Sequence, residues 1–165
     1  FIKSGLRRFK IEISDDNADE LELAYIKAEL EITELFTDTV PFLHKATQNN
    51  KIICAATNNF SISHVYKLLN KFDIRSYFSA VHISGQLKIR KPDKNFLDKI
   101  RSYQNIPMHG NDCVIIGDKL HIDILSGKRS GVKTCLLNRY GYTAVNVVKH
   151  VSPDIIISSL NQIEF

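Results

Sequence analysis

The sequence predicts an α/β fold in which a parallel sheet carries helices on both faces. From Lys51 onward, short apolar segments alternate with helical patterns over short links, as in repeated strand–helix units. The apolar segments are continuous rather than alternating, which is typical of strands buried on both faces of a parallel sheet.

Four strands are expected at about residues 51–57, 80–84, 113–118 and 134–138, and a last apolar segment follows in "PDIIISSL". Helical patterns fill the intervals: "SISHVYKLLNKF" after the first strand, "PDKNFLDKIRSY" after the second, and "HIDILSGKRSG" after the third.

The first fifty residues have a different pattern. "NADELELAYIKAELEITELF" predicts a charged helix of about five turns. "DTVPFLHKATQNN" predicts a second helix, with Asp38 or Thr39 as N-cap and Pro41 in its first turn. Upstream, "RRFKIEIS" is compatible with a short exposed strand or with an extended linker.

Composition limits the partners. At 165 residues, with 44% apolar and 24% charged residues, the chain is about one globular domain long. A net charge of +4 without a long basic run argues against a nucleic-acid partner. No apolar run reaches the ~18–20 residues of a membrane span.

The three cysteines lie in or beside apolar segments without a Cys-x-x-Cys pair, so we expect reduced thiols and a cytoplasmic location.

Polar side chains follow three of the predicted strands. Thr57 and Asn58 follow the first, Lys91 lies in the loop after the second, and Asp118 and Asp123 follow the third. Ligands of open α/β sheets bind beyond the carboxyl ends of the strands. Carboxylates suit a hard cation such as Mg²⁺, whereas a hydroxyl, a lysine and backbone N–H groups suit a phosphoryl group.

The segments "IICAATNN", "KIRKPD" and "VIIGDKLHIDILSGKRSG" resemble, in order, the second, third and fourth motifs of the haloacid dehalogenase (HAD) superfamily. The resemblance covers roughly residues 36–165 and implies a HAD-like Rossmannoid core. It implies that Thr57 binds the substrate phosphoryl group with Asn58 beside it, and that Lys91 neutralises the phosphoryl group and the nucleophile. It also implies that Asp118 holds Mg²⁺, and that Asp123 supports the metal shell or orients Lys91.

Lys119 departs from the family pattern, because the residue after the first acid of the fourth motif is usually small and polar. A lysine here either folds outward or competes with the cation.

The first HAD motif, an Asp-x-Asp after a central apolar strand, has no counterpart before Thr57. The acidic cluster "DDNAD" follows a segment that alternates, and its context resembles the tail of the α-helical C1 cap of this superfamily. A degenerate first motif at Asp15 is the alternative interpretation of this cluster. The resemblance therefore implies a cap remnant at 1–36 and a core lacking the first-motif strand at 37–165. Because the chain begins with Phe1, we expect the nucleophile upstream, or a homo-oligomeric or other pairing that fills the gap.

The resemblance implies a Mg²⁺-dependent phosphatase that acts on a small phosphorylated metabolite through an aspartyl-phosphate, with the nucleophile outside this chain. Two alternatives remain open: a non-catalytic HAD-like binding domain, and a 2-haloacid dehalogenase. The pair Gly117-Asp118 favours the phosphatase, because the dehalogenase motif usually has serine and asparagine there.

Overall fold

The computed structural model describes residues 2–104, 112–141 and 151–165. Five strands are formed: β1 (Cys54–Thr57), β2 (Ala80–Ile83), β3 (Val114–Gly117), β4 (Lys133–Leu137) and β5 (Ile155–Ile157). Seven α-helices are formed in the same ranges: α1 (Ile2–Arg7), α2 (Asp15–Ile32), α3 (Thr39–Gln48), α4 (Ile62–Lys71), α5 (Ser84–Leu87), α6 (Lys94–Gln104) and α7 (Leu125–Arg129). The α/β prediction is confirmed.

All strand pairs are parallel, but they form two sheets. β1 pairs with β2, and β3 pairs with β4, which pairs with β5. Within the described ranges no strand bridges β1 and β3. The expected strands are present, and the structure differs from the prediction in dividing them between two sheets.

Helices cover both faces of the β1–β2 pair. Ala55 packs with the α4 residues Val65 and Leu69, whereas the next residue, Ala56, packs on the cluster that contains Leu87 and Phe96. Successive strand residues point to opposite faces, so α4 lies on one face and α5 and α6 lie on the other. Ile115 of β3 joins the Phe96 cluster, which therefore connects the two sheets.

The helical run after β3 begins as a wider helix. Leu120–Ile124 form a π-helical turn that continues into α7. Leu120 and Ile124 are buried in a cluster with Leu136 of β4. The apolar spacing of this run thus fixes the helix against the sheet and leaves Asp118, before the turn, at the end of β3.

The N-terminal segment corrects one expectation. Residues 2–7 form α1, and residues 11–14 have no regular structure, so the strand alternative for "RRFKIEIS" is wrong. Phe9 and Ile11 are 77% and 48% exposed, and no strand lies beside them in the described ranges. Without a neighbouring strand, an alternating pattern has no ladder to join.

Helix α2 begins at the N-cap Ser14, whose hydroxyl accepts a hydrogen bond from the N–H of Asn17. Its carboxyl end lies on α4, where the Lys71 ammonium donates to the carbonyls of Leu30 and Thr33. The predicted division between a cap remnant and a core is not tested by these contacts and stays a prediction.

Asp38 anchors the start of α3. It occupies the predicted N-cap position, but its side chain makes no capping bond. Instead Arg139 donates two hydrogen bonds of 2.7 and 2.8 Å to its carboxylate, and Ser159 and the N–H of Leu160 add two more. The Arg139 guanidinium, with help from Ser159 and Leu160, holds the pKa of Asp38 far below its usual range.

Cys54, Cys113 and Cys135 form no disulfide with one another, and burial raises the pKa of each thiol. Among the described residues, no helix combines the length and the apolar character that crossing a bilayer requires.

Candidate active site

A cleft of about 290 Å³ lies where the carboxyl ends of β1 and β3 face each other. It is lined by Ala56, Thr57, Asn58, Lys91, Ile116, Gly117, Asp118, Lys119, Ile122 and Asp123. The structure therefore brings together all five residues that the sequence nominated. Their roles in binding and catalysis stay predictions.

Lys91 crosses the space between the two sheets. Its ammonium donates hydrogen bonds of 2.7 Å to the carbonyl oxygen of Ala56, in β1, and of 2.7 Å to Oδ1 of Asp123, beyond β3. Lys91 is 8% exposed. A buried ammonium requires such partners, because removing an unpaired charge from water costs several kcal/mol (~3–5 when one partner of a buried pair is deleted).

Asp123 is the counter-ion of Lys91. It is 6% exposed, and its second oxygen accepts a 3.1 Å hydrogen bond from the N–H of Lys119. Its side chain lies against Gly117, where a Cβ atom would come within 2.4 Å of the Cβ of Asp123. Of the two roles predicted for Asp123, its contacts correspond to the orientation of Lys91.

Asp118 is exposed at the end of β3. Its carboxylate makes no hydrogen bond or ion pair with the residues that the structure describes. The same ranges contain no group of three His, Cys, Asp or Glu residues that could hold a metal. One open carboxylate nevertheless fits Mg²⁺, which is commonly held by one or two carboxylates together with waters and substrate phosphate.

Thr57 ends β1 and is half-buried at the cleft. Its hydroxyl has no hydrogen-bond partner within the described ranges, so it can donate to a ligand. Lys119 is exposed, and its backbone carbonyl accepts the 2.7 Å hydrogen bond from the N–H of Asp123.

Asn58 uses its amide on the protein itself. Oδ1 accepts a 2.8 Å hydrogen bond from the N–H of Lys91, and Nδ2 donates a 2.8 Å hydrogen bond to the carbonyl of Lys91. The sequence placed Asn58 beside the phosphoryl group and did not predict this pairing, because nothing local relates residues 33 positions apart.

Gly117 and the carbonyl of Ala56 are two further contributors that the sequence reading missed. A glycine inside an apolar strand segment indicates close approach of another group, so Gly117 carried a signal. A backbone carbonyl carries none, because every residue has one.

The profile of the haloacid dehalogenase-like hydrolases matches residues 3–137. This chain belongs to that family. The HAD resemblance of its motifs is thereby confirmed.

Among curated relatives, the chain is 29% identical over 145 residues to the pyrimidine 5'-nucleotidase YjjG of Escherichia coli (strain K12), covering 88% of this chain and 62% of that protein. It is 23% identical over 120 residues to the glyceraldehyde 3-phosphate phosphatase of Methanopyrus kandleri, covering 73% of this chain and 50% of the relative. The chain thus spans less than two thirds of the length of these relatives.

Solved HAD structures share the fold. The magnesium-bound HAD-hydrolase YfnB of Bacillus subtilis superposes with a TM-score of 0.72 at 22% identity, covering 96% of this chain and 65% of that one. A 2-haloacid dehalogenase from Pseudomonas syringae superposes with a TM-score of 0.70 at 19% identity, covering 91% and 61%. These TM-scores show that the chain has the HAD-like Rossmannoid fold, and at identities below 25% they carry no conclusion about the reaction.

Proposed function

We propose that this chain is part of a Mg²⁺-dependent phosphatase that hydrolyses a small phosphorylated metabolite. The observation that carries the proposal is the cleft itself, in which a free hydroxyl and a buried ammonium lie beside an open carboxylate. The first two groups suit phosphoryl oxygens and the third suits a hard cation. The curated relatives, a pyrimidine 5'-nucleotidase and a glyceraldehyde 3-phosphate phosphatase by name, support a phosphate ester over a haloacid.

Lys91 is the group that neutralises the phosphoryl charge. An ammonium has three N–H donors; Ala56 and Asp123 take two of them, and the third remains for a phosphoryl oxygen. The hydroxyl of Thr57 donates to another. Donors that are already held in place need no reorganisation when charge develops in the transition state.

Asp118 would hold Mg²⁺, with the remaining positions filled by waters and by the substrate. When bound, the ion would supply Lewis-acid stabilisation of the phosphoryl oxygens. Asp123 is engaged by Lys91 and Lys119, so we place it beside the metal site as the residue that orients Lys91.

The nucleophile is proposed to come from outside this sequence, as an aspartate at the end of a strand between β1 and β3. The hydroxyl of Thr57 makes no hydrogen bond to a base among the described residues, and the Lys91 ammonium is held in an ion pair, so neither group is activated to attack. β1 is half-buried along its length, whereas three of the four residues of β2 are buried. A sheet is normally most buried at its centre, and a strand inserted beside β1 would restore that order.

The source of this strand is taken to be a preceding segment of a longer protein. A second copy or another partner chain that pairs with the same edges is the alternative. The predicted homo-oligomer would form in that case, and sedimentation of the isolated chain would reveal it.

The experiment compares the isolated chain with the longer protein on p-nitrophenyl phosphate, a panel of phosphate esters that includes pyrimidine nucleoside 5'-monophosphates, and a 2-haloacid. We expect no hydrolysis by the isolated chain and Mg²⁺-dependent phosphate release by the longer protein, greatly weakened by Asp118→Asn. Robust turnover by the isolated chain would contradict the missing nucleophile. A longer protein that is inert on the whole panel would favour the non-catalytic binding domain, and halide release would favour the dehalogenase.

A further inference from the structure

The loop that carries Lys91 has little structure of its own. Residues 88–93 form neither helix nor strand, and Lys88 begins the loop in the left-handed region at a φ of 58°. Within the loop, one backbone hydrogen bond joins the N–H of Asp93 to the carbonyl of Arg90. A loop with so few internal bonds depends on groups from elsewhere to fix the position of its side chains.

Asn58 provides such a group, because its amide satisfies both backbone polar groups of Lys91 at 2.8 Å each. Only Asn and Gln present a donor and an acceptor side by side in this way. The carbonyl of Ala56, two residues before Asn58, then receives the ammonium of the same lysine. Residues at and just after the end of β1 therefore hydrogen-bond both the backbone and the ammonium of Lys91.

We propose that Asn58 is a positioning residue that sets the ammonium of Lys91 in the cleft. The consequence of this positioning for the reaction rests on the proposed phosphatase function, but the two hydrogen bonds between Asn58 and Lys91 are a property of this chain. Removal of the amide frees the backbone of Lys91, and the loop then carries the ammonium away from Ala56 and Asp123 for part of the time.

The neighbouring Asn59 is a matched control. Its Oδ1 accepts a 2.9 Å hydrogen bond from the N–H of Ser61, the N-cap residue of α4, and no hydrogen bond joins its side chain to Lys91. The two asparagines thus share residue type and loop, and they differ in whether they hold the lysine.

The test measures the rate at which acetic anhydride acetylates Lys91 in the isolated chain, by peptide mass spectrometry, relative to the exposed Lys67. Asn58→Ala and the nearly isosteric Asn58→Leu are expected to raise the relative rate at least roughly five-fold, because both hydrogen bonds to the backbone of Lys91 are lost. Asn59→Ala should leave it within about two-fold. Asn58→Leu fills the space of the amide, which guards against an effect of a cavity alone.

Unchanged acetylation of Lys91 in both Asn58 variants would overturn the proposal, and so would an equal increase in Asn59→Ala. In the longer protein, Asn58→Ala should lower kcat/KM at least roughly five-fold, whereas Asn59→Ala should leave it within about two-fold. If the longer protein hydrolyses no phosphate ester, the acetylation rates still test whether Asn58 positions the ammonium of Lys91. The two proposals can therefore fail separately.

Discussion

The ammonium of Lys91 lies 2.7 Å from Oδ1 of Asp123, although 32 residues separate them in the chain. Both side chains are more than nine-tenths buried, so each charge depends on the other. The pair joins the loop after β2 to the helical run after β3, and it is one of the contacts that hold the two sheets on either side of the cleft.

Asp123→Asn should therefore lower the free energy of unfolding by about 3 kcal/mol, because it leaves a buried ammonium without its counter-ion. Urea denaturation followed by circular dichroism measures the change. Asp118→Asn is the matched control and should shift the free energy by less than ~0.5 kcal/mol, since its carboxylate is exposed and lacks a partner in the described ranges. Equal losses of unfolding free energy in the two variants would contradict the role of Asp123 as the counter-ion of Lys91.

The affinity for Mg²⁺ should depend on Asp118, whose substitution is expected to leave the free energy of unfolding nearly unchanged. We expect weak binding by the isolated chain and at least a roughly ten-fold loss in Asp118→Asn, because a hard cation loses its one open carboxylate. Calorimetric titration with MgCl₂ measures the affinity, and Asp19→Asn, an exposed acid on α2, serves as the control for general charge. Binding that survives in Asp118→Asn would remove Asp118 from the metal site.

Gly117→Ala tests the packing under the ion pair. The added Cβ would lie 2.4 Å from the Cβ of Asp123, so Asp123 must shift, at a cost of about 1–3 kcal/mol in the free energy of unfolding. Gly5→Ala, with no atom within 4 Å of the new Cβ, should be neutral or slightly stabilising in helix α1, by up to about 1 kcal/mol. Thermal and urea denaturation of both variants provide the comparison, and an undisturbed Gly117→Ala protein would argue against this close approach.

Acid should destabilise the protein through Asp38. Arg139, Ser159 and Leu160 hold the pKa of Asp38 below its usual range, so the stabilisation is complete above the unfolded pKa of about 3.9 and is lost as pH falls further toward the folded value. In that window one extra proton binds the unfolded chain, which corresponds to about 1.4 kcal/mol per pH unit.

Asp38→Asn should remove this slope below about pH 4, and it should also lower stability at neutral pH by breaking the buried pair with Arg139. Urea titrations between about pH 3 and pH 7 measure both effects, with Asp19→Asn as the control. If Asp38→Asn retains the wild-type slope, acid lability resides in other carboxylates; Asp154, whose pKa is lowered by Lys128 and Thr134, would be examined next.

Much of the fold followed from local pattern. Continuous apolar runs predicted all the strands to within a few residues, and the polar residues after them, from Thr57 to Asp123, line one cleft. This part was predictable because parallel strands with crossover helices place their carboxyl ends at one edge. The order of residues along the chain was enough to determine which side chains would meet there.

The partners of those side chains were decided by the tertiary structure. Asp38 was read as a helix cap, and its carboxylate instead binds Arg139, 101 residues away. The resemblance placed Asn58 beside the phosphoryl group, and the amide of Asn58 holds the backbone of Lys91. The alternating pattern near residue 10 was compatible with a strand or a linker, and no strand lies beside it in the described ranges. A sequence pattern specifies which face of an element is apolar, but a hydrogen bond between distant loops depends on distances that exist only after the sheets have packed. The sequence by itself therefore determined the strands and the edge of the sheet at which the site lies. The tertiary structure decided which groups hold Lys91.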